Sequence, residues 1–226
     1  MIFLPHVAWL SATAAFVTGY ARIAHVSIQG HRIFRIALFV GVLINERAWF
    51  AYRHFTVCMR LTDNLPIHLC DLSVFALLAE LETNQRFFAK WAYFPDVVGT
   101  LLVVVFPAVS ETGAIRPIAE ARYFVTHIAL VGAEFYLTFG RRYHPETRAI
   151  LRIYAAIVGY AILVTPLNLY LDTNYFYTLS APAEFRFIHA FPHWLFSCIV
   201  SATFLAAFGL LHPPFRRRKV GTVFTR

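Results

Sequence analysis

Long apolar segments separated by short polar connections dominate this sequence. A membrane-spanning helix needs about 20 mostly apolar residues. Seven segments approach or meet that length: 2–20, 33–53, 65–82, 91–108, 122–139, 151–169 and 187–211. The third and fourth are short, and they carry Asp71 and Asp96. The pattern predicts an all-α, polytopic membrane helix bundle of about seven transmembrane helices, which forms a single membrane domain over residues 1–226.

Composition supports the membrane assignment. Hydrophobic residues make up 59% of the chain and charged residues 14%, whereas a soluble domain carries about 25% charged residues. No charged residue precedes Arg22, so we expect the first segment to be a retained span and not a cleaved signal peptide. The three cysteines, Cys58, Cys70 and Cys198, are odd in number and lack metal-type spacing, so they predict neither a disulfide framework nor a zinc ribbon.

The distribution of lysine and arginine predicts the orientation of the bundle. With the N-terminus outside, twelve basic residues fall on the inner side: Arg22, Arg32, Arg86, Lys90, Arg141, Arg142, Arg148, Arg216, Arg217, Arg218, Lys219 and Arg226. Three fall on the outer side: Arg60, Arg116 and Arg186. Because basic residues stay cytoplasmic, we expect the N-terminus outside and the C-terminus in the cytoplasm. Contact with anionic lipid accounts for the net charge of +8, so we expect no nucleic-acid partner.

Polar residues inside membrane spans are costly, and they therefore mark candidate functional sites. In the predicted topology, polar residues of five spans lie at the same depth in the outer leaflet. Structural polar residues alone would not be expected to share one leaflet, so this convergence predicts a site. The residues are Asn45, Glu46, Arg47, His68, Cys70, His127, Asn168, Asp172, Asn174, Tyr175, His189 and His193.

Cys70 is the candidate nucleophile of this site. Asn64 and Pro66 are typical of a helix start, and a helix N-terminus favours the thiolate, which is the reactive form of cysteine. His127 could take the thiol proton, because a base needs only hydrogen-bond reach. His68 is the rival base, although residues two apart point to different helix faces. A small buried thiol without chemistry is the competing interpretation of Cys70.

Other polar residues have supporting or alternative roles. His68 and Asp71 share a helix face and could pair with each other. Asn168 or Asn174, with Tyr175 beside it, could donate to an oxyanion. Glu46 and Arg47 could bind substrate or form structural ion pairs with other helices. The sequence leaves the roles of Asp96 and Glu134 open.

His189 and His193 allow a different chemistry. Histidines at i and i+4 share a helix face, as they do in helical metal sites. Together with His68 they could bind zinc and leave a position for water, which would make the protein a zinc-dependent intramembrane lipid hydrolase. A non-enzymatic transport or structural protein is the third possibility, and its mark would be a polar path through both leaflets. Asp96 and Glu134 are the polar residues that lie deeper.

The stretch Leu65-Pro66-Ile67-His68-Leu69-Cys70-Asp71 resembles the YwaF-type integral membrane family. That bacterial family looks related to transmembrane protein 164, a eukaryotic acyltransferase that makes ether-linked phosphatidylethanolamines. Further similarities follow in order along the chain: Tyr93-Phe94, Pro107, the run Tyr123-Phe124-Val125-Thr126-His127, Asn168, Asn174-Tyr175 and Pro182.

The resemblance implies an intramembrane acyltransferase that acts on phospholipids. Cys70 would accept the acyl chain as a thioester, His127 would be its base, and a lyso-phospholipid would be the acceptor. No cofactor is expected, and the partners are the lipid bilayer and its phospholipids. The resemblance also implies an integral protein of a bacterial plasma (inner) membrane. The sequence does not determine the oligomeric state, the acyl chain length, or whether water replaces the acceptor.

Overall fold

In a computed structural model of the 226-residue chain, the structure describes residues 3–23, 28–56, 65–105, 107, 109, 113–137, 147–182 and 191–211. These residues form seven α-helices: α1 (Phe3–Ile23), α2 (Ile28–Thr56), α3 (Leu69–Thr83), α4 (Arg86–Val105), α5 (Arg116–Phe135), α6 (Thr147–Leu171) and α7 (His193–Leu211). Two single 3₁₀ turns occupy Gly113–Ile115 and Tyr175–Tyr177. Each predicted apolar segment has produced one helix, so the all-helical fold class is confirmed.

The helices α4 and α5 lie at the centre of the bundle. The helix α4 contacts α1, α3, α5, α6 and α7, and α5 contacts α1, α2, α3 and α4. Phe94, Tyr136 and Phe208 are fully buried where α4, the end of α5 and α7 meet. Leu77 and Leu130 fill a second core between α3 and α5. Because lipid is as apolar as these side chains, it is their packing that holds the helices together in a membrane.

The outer surface of the bundle is apolar. Large side chains such as Leu163 and Leu210 are 73% and 78% exposed, as expected of residues that face lipid. Three of the described helices contain a stretch long and apolar enough to cross a membrane, Phe87–Val104, Arg148–Leu171 and His193–Leu211. The prediction of an integral membrane protein is thereby supported, and the predicted orientation of its termini stays a prediction.

The helix α3 starts later than the apolar pattern indicates. Pro66 keeps the preceding residue out of the helical region, and residues 65–68 are non-helical, so the helix begins at Leu69 with His68 as its N-cap. It ends at Thr83 and is capped by Asn84, which is in the left-handed conformation (φ 60°) and donates its backbone N–H to the Glu80 carbonyl at 2.7 Å. The short segment 65–68 therefore leads directly into the candidate site.

Candidate functional site

Cys70 lies in the first turn of α3, as its second residue. The carboxylate of Asp71 accepts the backbone N–H of His68 at 3.0 Å and so caps the helix. The backbone N–H groups of Cys70 and Asp71 point toward the Cys70 sulfur. The sulfur therefore lies at the positive end of the helix, which favours a thiolate, whereas the burial of the sulfur and the nearby Asp71 act against it. Asn64, which we proposed as part of the helix start, lies outside the described residues.

His68 is held by the chain that follows α6, here called the 172–182 loop. Its Nδ1 accepts the backbone N–H of Phe176 at 3.3 Å, and its ring packs against the rings of Tyr175 and Tyr177 at 5.2 and 5.5 Å. His68 and Asp71 do pair, but through the backbone N–H of His68. The His68 ring contacts the loop and not Asp71. His68 is therefore a residue that orients the helix start.

Two further hydrogen bonds fix the segment before α3. The hydroxyl of Tyr175 accepts the N–H of Leu65 at 2.9 Å. The hydroxyl of Tyr160, on α6, donates to the carbonyl of Ile67 at 2.8 Å. The α6 helix and its following loop thus clamp the residues that lead to Cys70.

Asn168 organises the 172–182 loop. Its side chain is fully buried, and its Nδ2 donates to the carbonyl of Tyr175 at 2.7 Å and to the hydroxyl of Thr178 at 2.8 Å. Its Oδ1 accepts from the N–H of Tyr175 at 2.8 Å and the hydroxyl of Thr173 at 3.0 Å. Both donors are used inside the loop, so Asn168 holds the loop together in this structure, and its contact with an oxyanion stays a prediction.

Asn174 has a comparable position within the same loop. Its Nδ2 donates to the backbone carbonyl and the hydroxyl of Ser180 at 2.9 and 2.8 Å, and its Oδ1 accepts the N–H groups of Leu179 and Ser180. Its donors, too, are engaged locally and do not reach toward an acyl group.

His127 is the buried histidine of α5. Its Nδ1 lies 2.7 Å from the carbonyl oxygen of Tyr123, one turn earlier. Because a carbonyl oxygen only accepts, Nδ1 must carry the proton, and in the neutral ring Nε2 keeps a free lone pair. This Nε2 is buried and has no hydrogen-bond partner in the part of the chain that the structure describes. Nε2 is thus able to accept a hydrogen bond, and Cys70 does not form one with it in this structure.

Glu46 connects α2 to α5. Its carboxylate pairs with the guanidinium of Arg122 and accepts the hydroxyl of Thr126 at 2.6 Å. The amide of Asn45 donates to the same hydroxyl oxygen at 2.8 Å. The charge of Arg122 acts on Cys70 and His127, and also on Asp71. Glu46, Arg122, Asp71, Cys70 and His127 therefore form one neighbourhood where α2, α3 and α5 meet.

Arg122 and Thr126 were not singled out in the sequence. Arg122 is the first residue of the predicted fifth span, and an arginine at the end of a span is usually interpreted as an anchor at the membrane interface. Its position five residues before His127, together with Glu46 in another predicted span, was the signal that could have identified it. Arg47 behaves differently from its neighbour Glu46, because it is exposed and lines a shallow surface pocket with Phe50 and His54.

The structure describes two of the three candidate zinc ligands, His68 and His193, so zinc binding stays a prediction. The Nε2 of His193 lies 2.7 Å from the carbonyl oxygen of Thr178, and Nδ1 of His68 is bound to the loop. His189 lies outside the described residues. Among the residues that are described, no group of three histidine, cysteine or acidic side chains has a metal-binding arrangement.

Deeper in the bundle, acidic side chains from three helices lie close to one another. Glu80 of α3, Asp96 of α4 and Glu134 of α5 are all buried, and Glu134 interacts electrostatically with the other two. The carboxyl oxygens of Asp96 and Glu134 have no hydrogen bond of standard geometry within the described helices. Ser73 is the polar side chain beside Asp96.

Comparison with known proteins adds a family assignment. The model of the TMEM164 family matches residues 1–212, a range that includes every site residue described above. A search of curated proteins and a search of solved structures gave no match.

Proposed function

Because the chain belongs to the TMEM164 family, as the resemblance of its Cys70 segment implied, we propose that it is an intramembrane enzyme that transfers acyl chains between phospholipids. Cys70 is the nucleophile and His127 is its base. The observation that supports this most directly is the state of His127, whose Nδ1 proton is bound to the Tyr123 carbonyl while Nε2 is buried and unoccupied. A lone pair presented in this way is what a general base requires.

In the first half of the reaction, Nε2 of His127 takes the proton of the Cys70 thiol. The sulfur attacks the ester carbonyl of a phospholipid, and the tetrahedral intermediate collapses with cleavage of the carbon–oxygen bond. The departing lyso-phospholipid oxygen receives the proton from Nε2, and Cys70 holds the acyl chain as a thioester. The position of the sulfur at the N-terminus of α3 favours the attacking thiolate.

In the second half, the hydroxyl of another lyso-phospholipid gives its proton to Nε2 and attacks the thioester carbonyl. The carbon–sulfur bond breaks, and the Cys70 sulfur recovers the proton from His127. If water takes the place of the acceptor, the same steps release a fatty acid. The predicted depth of the site in the outer leaflet favours a lipid over a soluble thioester as the acyl donor.

Detection of the acyl-enzyme intermediate tests the proposed mechanism. Purified protein is incubated with a phospholipid that carries a labelled acyl chain, and intact-mass spectrometry measures the adduct. We expect a hydroxylamine-sensitive adduct in the wild type, none in Cys70→Ala, and formation slowed about 10²–10⁴-fold in His127→Gln, since that is the usual contribution of a general base.

Cys198 provides the matched control, because it is an exposed thiol on α7. Cys198→Ala should acquire the adduct at the wild-type rate. An adduct that persists in Cys70→Ala, or one that disappears in Cys198→Ala, would refute the proposed nucleophile.

A further inference from the structure

Arg122 is fixed in place from two sides. Its Nη2 pairs with the carboxylate of Glu46, and its guanidinium lies 5.6 Å from the centre of the Trp49 ring. Glu46 is itself held by the hydroxyl of Thr126 at 2.6 Å. A guanidinium that is both paired and stacked has little rotational freedom left, so its remaining N–H groups point in defined directions.

The donors of Arg122 are not all used. The Nε–H group is buried and has no hydrogen-bond partner within the residues that the structure describes. Arginine carries five N–H donors and no acceptor, and leaving a buried donor unsatisfied destabilises the protein. Arg122 thus has a donor that Glu46 does not use, and its side chain is 23% exposed, so an anion can reach the guanidinium group.

The location of Arg122 relates this donor to the reactive residues. It pairs with Glu46, which also accepts the hydroxyl of Thr126, the residue directly before His127. By contrast, Arg116 on the same helix forms a salt bridge with Glu120, four residues later, at the exposed end of the helix. Of these two arginines of α5, Arg122 is the one turned toward the site.

We propose that Arg122 binds the phosphate of the lipid whose acyl ester Cys70 attacks. This inference rests on the proposed function for the identity of the lipid, and it names the group that distinguishes phospholipids from neutral glycerolipids. The planar guanidinium suits a phosphate, which accepts two parallel N–H bonds from it. Arg122 is accordingly a specificity-determining residue, and Glu46 positions it.

Binding without turnover tests the inference. Full-length Cys70→Ala protein in detergent is titrated with lyso-phosphatidic acid and with a monoacylglycerol of the same acyl chain, which differs from it only by lacking the phosphate. We expect the phosphate-bearing lipid to bind about 10- to 100-fold more tightly, the range of charge-assisted hydrogen bonds. Adding Arg122→Gln should abolish this ratio, and Arg122→Lys, which keeps the charge but not the planar fork, should retain part of it.

Two control variants separate phosphate binding from simple structural pairing. Arg116→Gln should keep the full ratio. Glu46→Gln breaks the same ion pair but leaves the guanidinium in place, so it should retain a preference for the phosphate-bearing lipid. A preference that survives Arg122→Gln, or that is lost in Arg116→Gln, overturns the inference.

The acyl-adduct measurement on wild-type protein keeps the two proposals distinguishable. An Arg122-dependent ratio in a protein that forms no Cys70 adduct would support phosphate binding and reject the acyltransferase. A Cys70 adduct together with equal binding of both lipids would support the enzyme and reject the role of Arg122.

Discussion

Asp96 and Glu134 are ionisable residues that are buried inside the helix bundle. Their side chains are 1% and 0% exposed, and their carboxyl oxygens have no hydrogen bond of standard geometry within the described helices. A buried carboxylate that is ionised and unpaired costs several kcal/mol. Their contribution to stability must therefore come from shape and not from charge.

Amide substitutions test this statement, because Glu134→Gln and Asp96→Asn preserve shape and remove any negative charge. We expect the melting temperature of the detergent-solubilised protein to stay the same or to rise, whereas Glu134→Ala should lose about 2 kcal/mol or more through the cavity it creates. Glu120→Gln, at an exposed pair with Arg116, should change stability by less than about 1 kcal/mol. Amide variants as unstable as the alanine variant would show that a charge is required.

Residue type and position were enough to propose Cys70 and His127, since an imidazole in an apolar span is costly and Cys70 follows a predicted helix start. The Tyr123 carbonyl that fixes the tautomer of His127 could also be anticipated, because it lies one turn earlier on the same helix. The contact between Glu46 and Arg122 could not be anticipated. It joins residues 76 positions apart, and only the rotation of α2 against α5 brings them together.

At the scale of elements, the 172–182 loop combines strain with compensating hydrogen bonds. Phe176 and Tyr177 have φ angles of 60° and 53°, in the left-handed region that costs most residues about 1–3 kcal/mol. The side chain of Asn168 offsets this cost with bonds to Tyr175 and its neighbours. The loop in turn supplies the N–H group that orients His68.

Asn168→Ala should therefore loosen the loop and disturb the start of α3. We expect a loss of about 2–4 kcal/mol in unfolding free energy, because buried groups lose several hydrogen bonds at once, together with faster proteolysis between residues 172 and 182. Asn174→Ala is the comparison, since its bonds lie in an exposed position and their loss should cost less. Equal effects in the two variants would argue against the central role of Asn168.

The lengths of the apolar segments predicted all seven helices, but they predicted the first and last residues of those helices less accurately. The α2 helix was expected over 33–53 and covers Ile28–Thr56, because polar first and last turns extend a helix without adding to its apolar run. The α5 helix was expected from residue 122 and begins at Arg116, where Pro117 is favourable in a first turn. The α3 helix, by contrast, begins later in the sequence than predicted, because Pro66 keeps the residues before Leu69 out of the helix.

For the whole molecule, the excess of basic residues on one side predicts the orientation. A green fluorescent protein fused after Arg226 should fluoresce in a bacterial host, since the predicted C-terminus is cytoplasmic, and alkaline phosphatase at the same place should be inactive. The opposite pair of results would invert the topology and move Cys70 to the inner leaflet.

Trp49 is a fluorescent side chain that lies beside Arg122. Its indole is 8% exposed and has the guanidinium of Arg122 at 5.6 Å and that of Arg53 at 5.7 Å. The emission of a buried indole depends on the charges beside it. With Trp9, Trp91 and Trp194 replaced by phenylalanine, the chain would carry one fluorophore at the wall of the site. The arrival of an anion at Arg122 would then change the colour or intensity of its emission, without a label and without a chemical step.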